Sequence, residues 1–218
     1  MHLPEQTLSR HPWLPYVAPF ALFLALTFVQ TSVTGAVAWM YPAKTIVVGL
    51  ALLYFLRALP PLTVRYTGLA GIVGIAVFVM WVLPEGTYPY LGTPEPYDPF
   101  AHLASPRVYG WIAIRILGSS LVVPVMEEYF WRGFLLRWIV NPDFRKVAIG
   151  TFSWPSFVIT SLLFASEHNR WLVGLAAGVA YNLLLYRTRS LYACIVAHAV
   201  TNLALGIFVL YTGAWSFW

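Results

Sequence analysis

The chain has 218 residues, of which 60% are hydrophobic and only 10% charged, and its formal net charge is +5. Soluble domains carry about 25% charged residues, so there are too few charges here to cover a globule. That excludes a soluble enzyme, a disordered chain and a nucleic-acid module. The composition is that of an all-α, polytopic membrane protein, in which surplus Lys and Arg set orientation.

The leading stretch MHLPEQTLSRHPWLPYV is polar. No small-residue cleavage site follows the first apolar run, so that run reads as a retained helix. A membrane helix needs about 20 mostly apolar residues, fewer inside a bundle. Seven segments qualify, at residues 16–33, 43–59, 67–83, 107–138, 155–168, 171–186 and 191–212. Straight and helical, the fourth would be about 48 Å long. It is either one tilted helix bent at Pro124 or two shorter pieces, which makes seven to eight membrane helices.

Arg57 and Arg65 flank one connection, Arg137, Arg145 and Lys146 crowd a second, and Arg187 and Arg189 mark a third. The proline-rich connection 84–106 instead carries Glu85, Glu95 and Asp98. Basic loops stay cytoplasmic. A cytoplasmic N-terminus and an outer C-terminus satisfy every loop if the fourth segment crosses once. Trp13, Trp39, Trp81, Trp138, Trp154, Trp171 and Trp215 fall near predicted helix ends, as interfacial anchors do.

Ionisable groups inside a bilayer cost several kcal/mol each and mark function by default. Glu5, Glu85, Glu95, Asp98 and Asp143 fall outside the apolar segments; Glu127, Glu128 and Glu167 fall in them or at their ends. Arg115, Arg132, His168, His198 and Asn202 complete the inventory. In the run Glu127-Glu128-Tyr-Phe-Trp-Arg132 the adjacent carboxylates point about 100° apart. Glu128 and Arg132 share a face at i, i+4. One carboxylate is thereby neutralised while the other can face a polar cavity and act as a general base.

Phe164 and His168 share a face in the same way, as do His198 and Asn202, whose side chains can donate to a developing oxyanion. Packing alternatives stand beside each: a buried ion pair, a hydrogen-bonded core histidine, a helix–helix hydrogen bond. Cys194 lies one turn before His198, but buried cysteine behaves mostly as a small hydrophobe. At about 1.5 Å per residue, Glu127, His168, His198 and Asn202 come to similar middle depths, which suggests one buried cavity.

The motifs EEYFWR, FASEH and HAVTN, in that order on apolar segments, resemble EExxxR, FxxxH and HxxxN of the CPBP family. These are the CAAX prenyl protease and bacteriocin-processing membrane peptidases, also called Abi. The stretches VPVMEEYFWRGFLLRW, GTFSWPSFVITSLLFASEH and TGAWSFW look like a bacterial, exosortase-associated, CAAX prenyl protease-related subgroup. The resemblance divides one integrated membrane domain into N-terminal helices with the proline-rich loop (1–106) and a catalytic core (107–218).

It implies an intramembrane endopeptidase. Glu127 and His168 would activate water, His198 and Asn202 would stabilise the oxyanion, and Glu128 with Arg132 would orient the first glutamate or the substrate. No cofactor is favoured. A zinc version would use Glu127, His168 and His198 with an open fourth position, but no HExxH helix is present. The implied partners are the bilayer, a membrane-anchored or lipidated peptide substrate and an exosortase system, and not nucleic acid. The implied location is the cytoplasmic (inner) membrane.

Two further readings compete with this one. In one, the chain is a non-catalytic chaperone or immunity-type protein of the same fold. In the other it is a proton-coupled carrier, which the absence of an inverted repeat disfavours.

Overall fold

The computed structural model describes residues 9–92 and 96–218; Glu5 and Glu95 lie outside the described residues. The described part is all-helical, with eight helices: α1 (Leu14–Ser32), α2 (Val37–Phe55), α3 (Thr67–Val82), α4 (Pro99–His102), α5 (Arg107–Val140), α6 (Trp154–Ser166), α7 (Trp171–Thr188) and α8 (Leu191–Thr212). Of these α1, α2 with its 3₁₀ extension, α5 and α8 are long and apolar enough to cross a membrane; α3 and α6 are shorter apolar helices. Phe28, Leu53, Ile72 and Tyr211 project outward with 67–91% of their surface exposed. Lipid tails solvate such side chains; water would not tolerate a continuous apolar belt of this kind. The chain is a multi-pass helical membrane bundle.

Local sequence sets the ends of these helices. Ser153 and Ser190 cap α6 and α8 by accepting from Ser156 N and Ala193 N, both at 3.2 Å. Gly213 closes α8 in the left-handed region at φ 70°, a conformation glycine adopts without Cβ strain. Pro42 stands inside α2, which starts at Val37 rather than at residue 43. A proline in the second turn removes a single intrahelical bond, so the helix tolerates it.

α5 is one continuous helix of 34 residues, so the fourth segment crosses once. It is wound with π geometry over Gly118–Val122 and again over Tyr129–Leu135. The first stretch leads directly to Pro124, whose ring would press on the carbonyl of residue 120 in a regular α-helix; the wider turn relieves that contact. Single π stretches recur at functional sites, and the second begins one residue after Glu128.

Seven helices, all but α4, run between two ends of the bundle. At one end Tyr129 donates to Pro60 O (2.9 Å), Tyr16 meets Phe144 edge-on (5.3 Å), and Arg137 holds Val147 O (2.8 Å). This end gathers eight of the 13 Lys and Arg residues: Arg10, Arg57, Arg65, Arg137, Arg145, Lys146, Arg187 and Arg189. At the other end Leu91 N donates to Asn169 O (2.8 Å), Trp171 Nε1 to Pro89 O (3.0 Å) and Arg170 to Ser216 O (2.9 Å). The chain therefore enters the bundle at the basic end and leaves at the opposite one.

α3 packs closely against α8. A Cβ on Gly74 would lie 2.5 Å from Ala197 O, and Thr201 Oγ1 donates to Gly74 O across the same contact (2.9 Å). This contact seats the helix that carries His198 and Asn202.

Candidate active site

A cavity of about 730 Å³ is lined by Glu127 from α5, Phe164, Glu167 and His168 from the end of α6, Tyr181 from α7, and His198, Thr201 and Asn202 from α8. Glu127 is buried, its Oε2 is shielded from solvent without a hydrogen-bond partner, and it makes no side-chain hydrogen bond among the described residues. A carboxylate kept buried and unpaired costs stability. The group therefore needs another reason to be there.

Its neighbour Glu128 is fully buried and does not line the cavity. Glu128 Oε1 accepts from Arg132 Nη1 (3.1 Å) and from His198 Nδ1 (3.0 Å). The rest of the Arg132 fork donates to Asn182 Oδ1 (3.0 Å) and Gly178 O (3.1 Å). Asn182 then donates to Thr160 Oγ1 (3.1 Å) and Ser161 Oγ (3.0 Å). Arg132 thus ties α5, α6 and α7 together. Glu128 stands behind His198, on the side away from the cavity.

The two histidines are oriented by what their Nδ1 atoms touch. His168 Nδ1 lies 2.8 Å from Phe164 O. A carbonyl only accepts, so this nitrogen carries the proton and Nε2 keeps its lone pair in the neutral ring. Trp81 meets His168 edge-on at 5.2 Å, so this tryptophan borders the cavity besides standing at a helix end. A Cβ on Gly174 would lie 3.3 Å from His168 Cβ; glycine leaves the imidazole its space. His198 hands Nδ1–H to Glu128 and stacks on Tyr181 (5.2 Å, 24°), whose hydroxyl donates to Thr201 Oγ1 (2.8 Å). Phe164 lies between the two imidazoles, 5.0 Å from His168 and 6.1 Å from His198. Asn202 Nδ2 donates to Ser119 O (2.8 Å), which uses one of its two amide hydrogens.

Glu127, His168 and His198 share this cavity, yet among the described residues no three His, Cys, Asp or Glu side chains gather so as to hold a metal ion. The Nδ1 contacts of His198 with Glu128 and of His168 with a carbonyl orient the two rings and leave Nε2 as the free edge of each. No step is derived through a metal. Cys194 is buried and free, with Sγ 3.5 Å from Tyr181 O; it does not line the cavity.

Sequence reasoning overlooked Asn182, Tyr181 and Lys44. Asn182 is a polar residue in an otherwise apolar segment, four residues after Gly178, and such residues usually bridge membrane helices. Lys44 donates to Thr27 Oγ1 (2.9 Å) and lies 4.6 Å over the Phe23 ring. Both were visible as exceptions in apolar runs. Tyr181 carried no signal apart from its place on the helix.

At the open end of the cavity the carboxylate of Glu85 accepts from Arg170 Nε (2.7 Å) and Nη2, and Arg170 Nη1 holds Ser216 O (2.9 Å). The Arg170 guanidinium keeps the Glu85 carboxyl below its ordinary value of 4.5. A carboxylate with a depressed folded pKa stabilises above its unfolded pKa and loses that contribution as pH falls through the folded one. Wild type should therefore melt above Glu85→Gln near neutrality. The two melting temperatures should converge when detergent-solubilised protein is scanned at pH values below the ordinary carboxylate range. Parallel curves across that range would show that the pair contributes nothing.

Comparison with known proteins gives a likeness at the level of the family. Residues 109–204 match the family model described as Type II CAAX prenyl endopeptidase Rce1-like, a stretch that includes Glu127, Glu128, Arg132, His168, His198 and Asn202. No curated protein and no solved structure matches the chain. Over that stretch, which carries all three motifs, the chain is similar to the Rce1-like CAAX-type membrane proteases.

Proposed function

We propose that the protein is an intramembrane endopeptidase that hydrolyses a peptide bond of a membrane-associated substrate without a metal. The observation that carries this is the contrast between the two adjacent glutamates: Glu128 is held through Oε1 by Arg132 and His198 away from the cavity, while Glu127 is buried on the cavity wall with no side-chain hydrogen bond among the described residues. Packing accounts for the first and not for the second.

In the proposed reaction a water held between Glu127 and the His168 Nε2 lone pair attacks the scissile carbonyl. Glu127 takes the water proton as the new C–O bond forms. The oxyanion is met by the second amide hydrogen of Asn202 and by His198 when its Nε2 also carries a proton, the form in which both ring nitrogens donate; Glu128 accepts from Nδ1 and holds the ring in place. The C–N bond then breaks as Glu127 returns the proton to the leaving amine. Glu128 and Arg132 are positioning residues in this scheme; Glu128 touches His198, Arg132 touches Glu128, and neither touches the substrate.

Eight basic residues at one end favour the orientation in which that end, with the N-terminus, faces the cytoplasm of a cell membrane. The likeness to an exosortase-associated subgroup points to a substrate from such a sorting system. A non-catalytic chaperone of the same fold would also bind a membrane peptide but would have no use for a partnerless Glu127.

The test is cleavage of a membrane-anchored peptide by purified protein, read by mass spectrometry. His168→Ala should lower kcat by about 10²–10⁴ with folding retained, and EDTA should leave the wild-type rate unchanged. Equal turnover by wild type and His168→Ala would end the hydrolase reading; loss of turnover in EDTA would end the metal-free version.

A further inference from the structure

The cavity opens toward one end of the bundle. Its outer wall comes from Thr31 and Gly35 at the α1–α2 turn, from Tyr97 and Arg170, and from Trp218. All of these belong to the end opposite the eight basic residues. There the segment after α8 lies across the rim, with Trp218 5.9 Å from Trp111 and Phe217 under the Arg170 guanidinium at 4.1 Å.

Toward the basic end the cavity is closed. Immediately behind it lie Glu128, Arg132 and Asn182, each at most 1% exposed. Beyond them Phe20 stacks on Phe130 (3.8 Å, 8°), and Tyr16 packs against Tyr129, Phe134 and Phe144. A separate hollow of about 190 Å³ at the basic end, between Pro60 and Tyr192, shares no lining residue with the cavity. An extended peptide needs a channel free of side chains, and among the described residues such a channel leads to Glu127 from one direction.

We infer that the substrate is cut from the extracytoplasmic side: it is a segment of a membrane-anchored protein exposed outside the cytoplasm, and it reaches Glu127 past Thr31, Tyr97 and Trp218. This rests on the peptidase reading above and on the basic end facing the cytoplasm. A lipidated protein held on the cytoplasmic leaflet would meet the closed end, about a whole helix length (roughly 30 Å) from the opening. The substrate class is thereby narrowed to chains that have already crossed the membrane.

Cysteine labelling tests this without requiring turnover. Cys194 is the sole cysteine and is fully buried, so wild type should remain unlabelled. Thr31→Cys places a thiol at the exposed rim of the opening, and Arg145→Cys places one on the exposed basic end. With a membrane-impermeant maleimide on intact cells, Thr31→Cys should label at least about tenfold faster than Arg145→Cys, and the two should become similar after permeabilisation. The reverse pattern, or a Thr31→Cys thiol that stays silent in intact cells, overturns the inference.

A bulky maleimide on Thr31→Cys should also slow cleavage of the anchored peptide by about tenfold or more, because it blocks positioning of the peptide at Glu127. Full activity after complete labelling would show that the peptide takes another route. Labelling reports access and His168→Ala reports chemistry, so either reading can fail alone.

Discussion

Arg132→Ala is expected to cost about 3–5 kcal/mol of folding stability, the range for removing one partner of a buried ion pair. The guanidinium is 1% exposed and donates to Glu128, Asn182 and Gly178 O. Removing it leaves a fully buried carboxylate with His198 alone and Asn182 Oδ1 without its donor. Thermal unfolding in detergent should show a large drop in melting temperature, and a shift of only a degree or two would mean that water replaces the guanidinium. The double variant Glu128→Met with Arg132→Met should recover most of the lost stability, because replacing both members of a buried pair by apolar groups is often nearly neutral. It should still cleave poorly, since the His198 ring has lost the acceptor that orients it. Stability and activity would then separate, as expected for a positioning pair.

Glu127→Gln is expected to do the opposite. Glutamine keeps the shape of the side chain but cannot accept the water proton, so kcat should fall by about 10²–10⁴. KM should hold, because Glu127 is proposed to touch the attacking water and not the bound peptide. Melting should be unchanged or slightly higher: Glu127 makes no hydrogen bond that the substitution would break, and a buried unpaired carboxylate is costly to keep. Wild-type turnover in Glu127→Gln would remove the general base from the mechanism, and a collapse in melting temperature would give Glu127 a structural role.

Much of the fold was legible because a bilayer imposes simple constraints. Each span must satisfy its own backbone hydrogen bonds and cover about 30 Å of hydrocarbon, so long apolar runs announce helices. The seven segments appear as helices α1–α3 and α5–α8, with ends displaced by a few residues. The largest displacement is at α2, which begins at Val37 and takes in Pro42 instead of starting after it. Whether the fourth segment was one helix or two depended on how Pro124 is absorbed. The wide turn at Gly118–Val122 decides it, and hydropathy does not encode that turn.

The candidate site divides in the same way. Scarcity of charge singled out Glu127, Glu128, Arg132, His168, His198 and Asn202, since few polar side chains sit in apolar segments without a reason. Helical spacing paired Glu128 with Arg132 and showed that its neighbour must point elsewhere. It was silent on partners far apart in sequence: that Glu128 supports His198 seventy residues away, or that Asn182 completes the Arg132 fork. Long-range pairs depend on how helices rotate and pack.

The sequence by itself determined the solvent, the spans, the end that gathers positive charge and the short list of residues with chemistry to offer. These follow from composition and from the period of the helix. Only the tertiary structure decided which glutamate is paired with Arg132 and His198 and which lines the cavity, and that the cavity opens away from the basic end. Both depend on where the seven long helices leave a gap and which aromatic side chains fill it, and close packing settles that collectively.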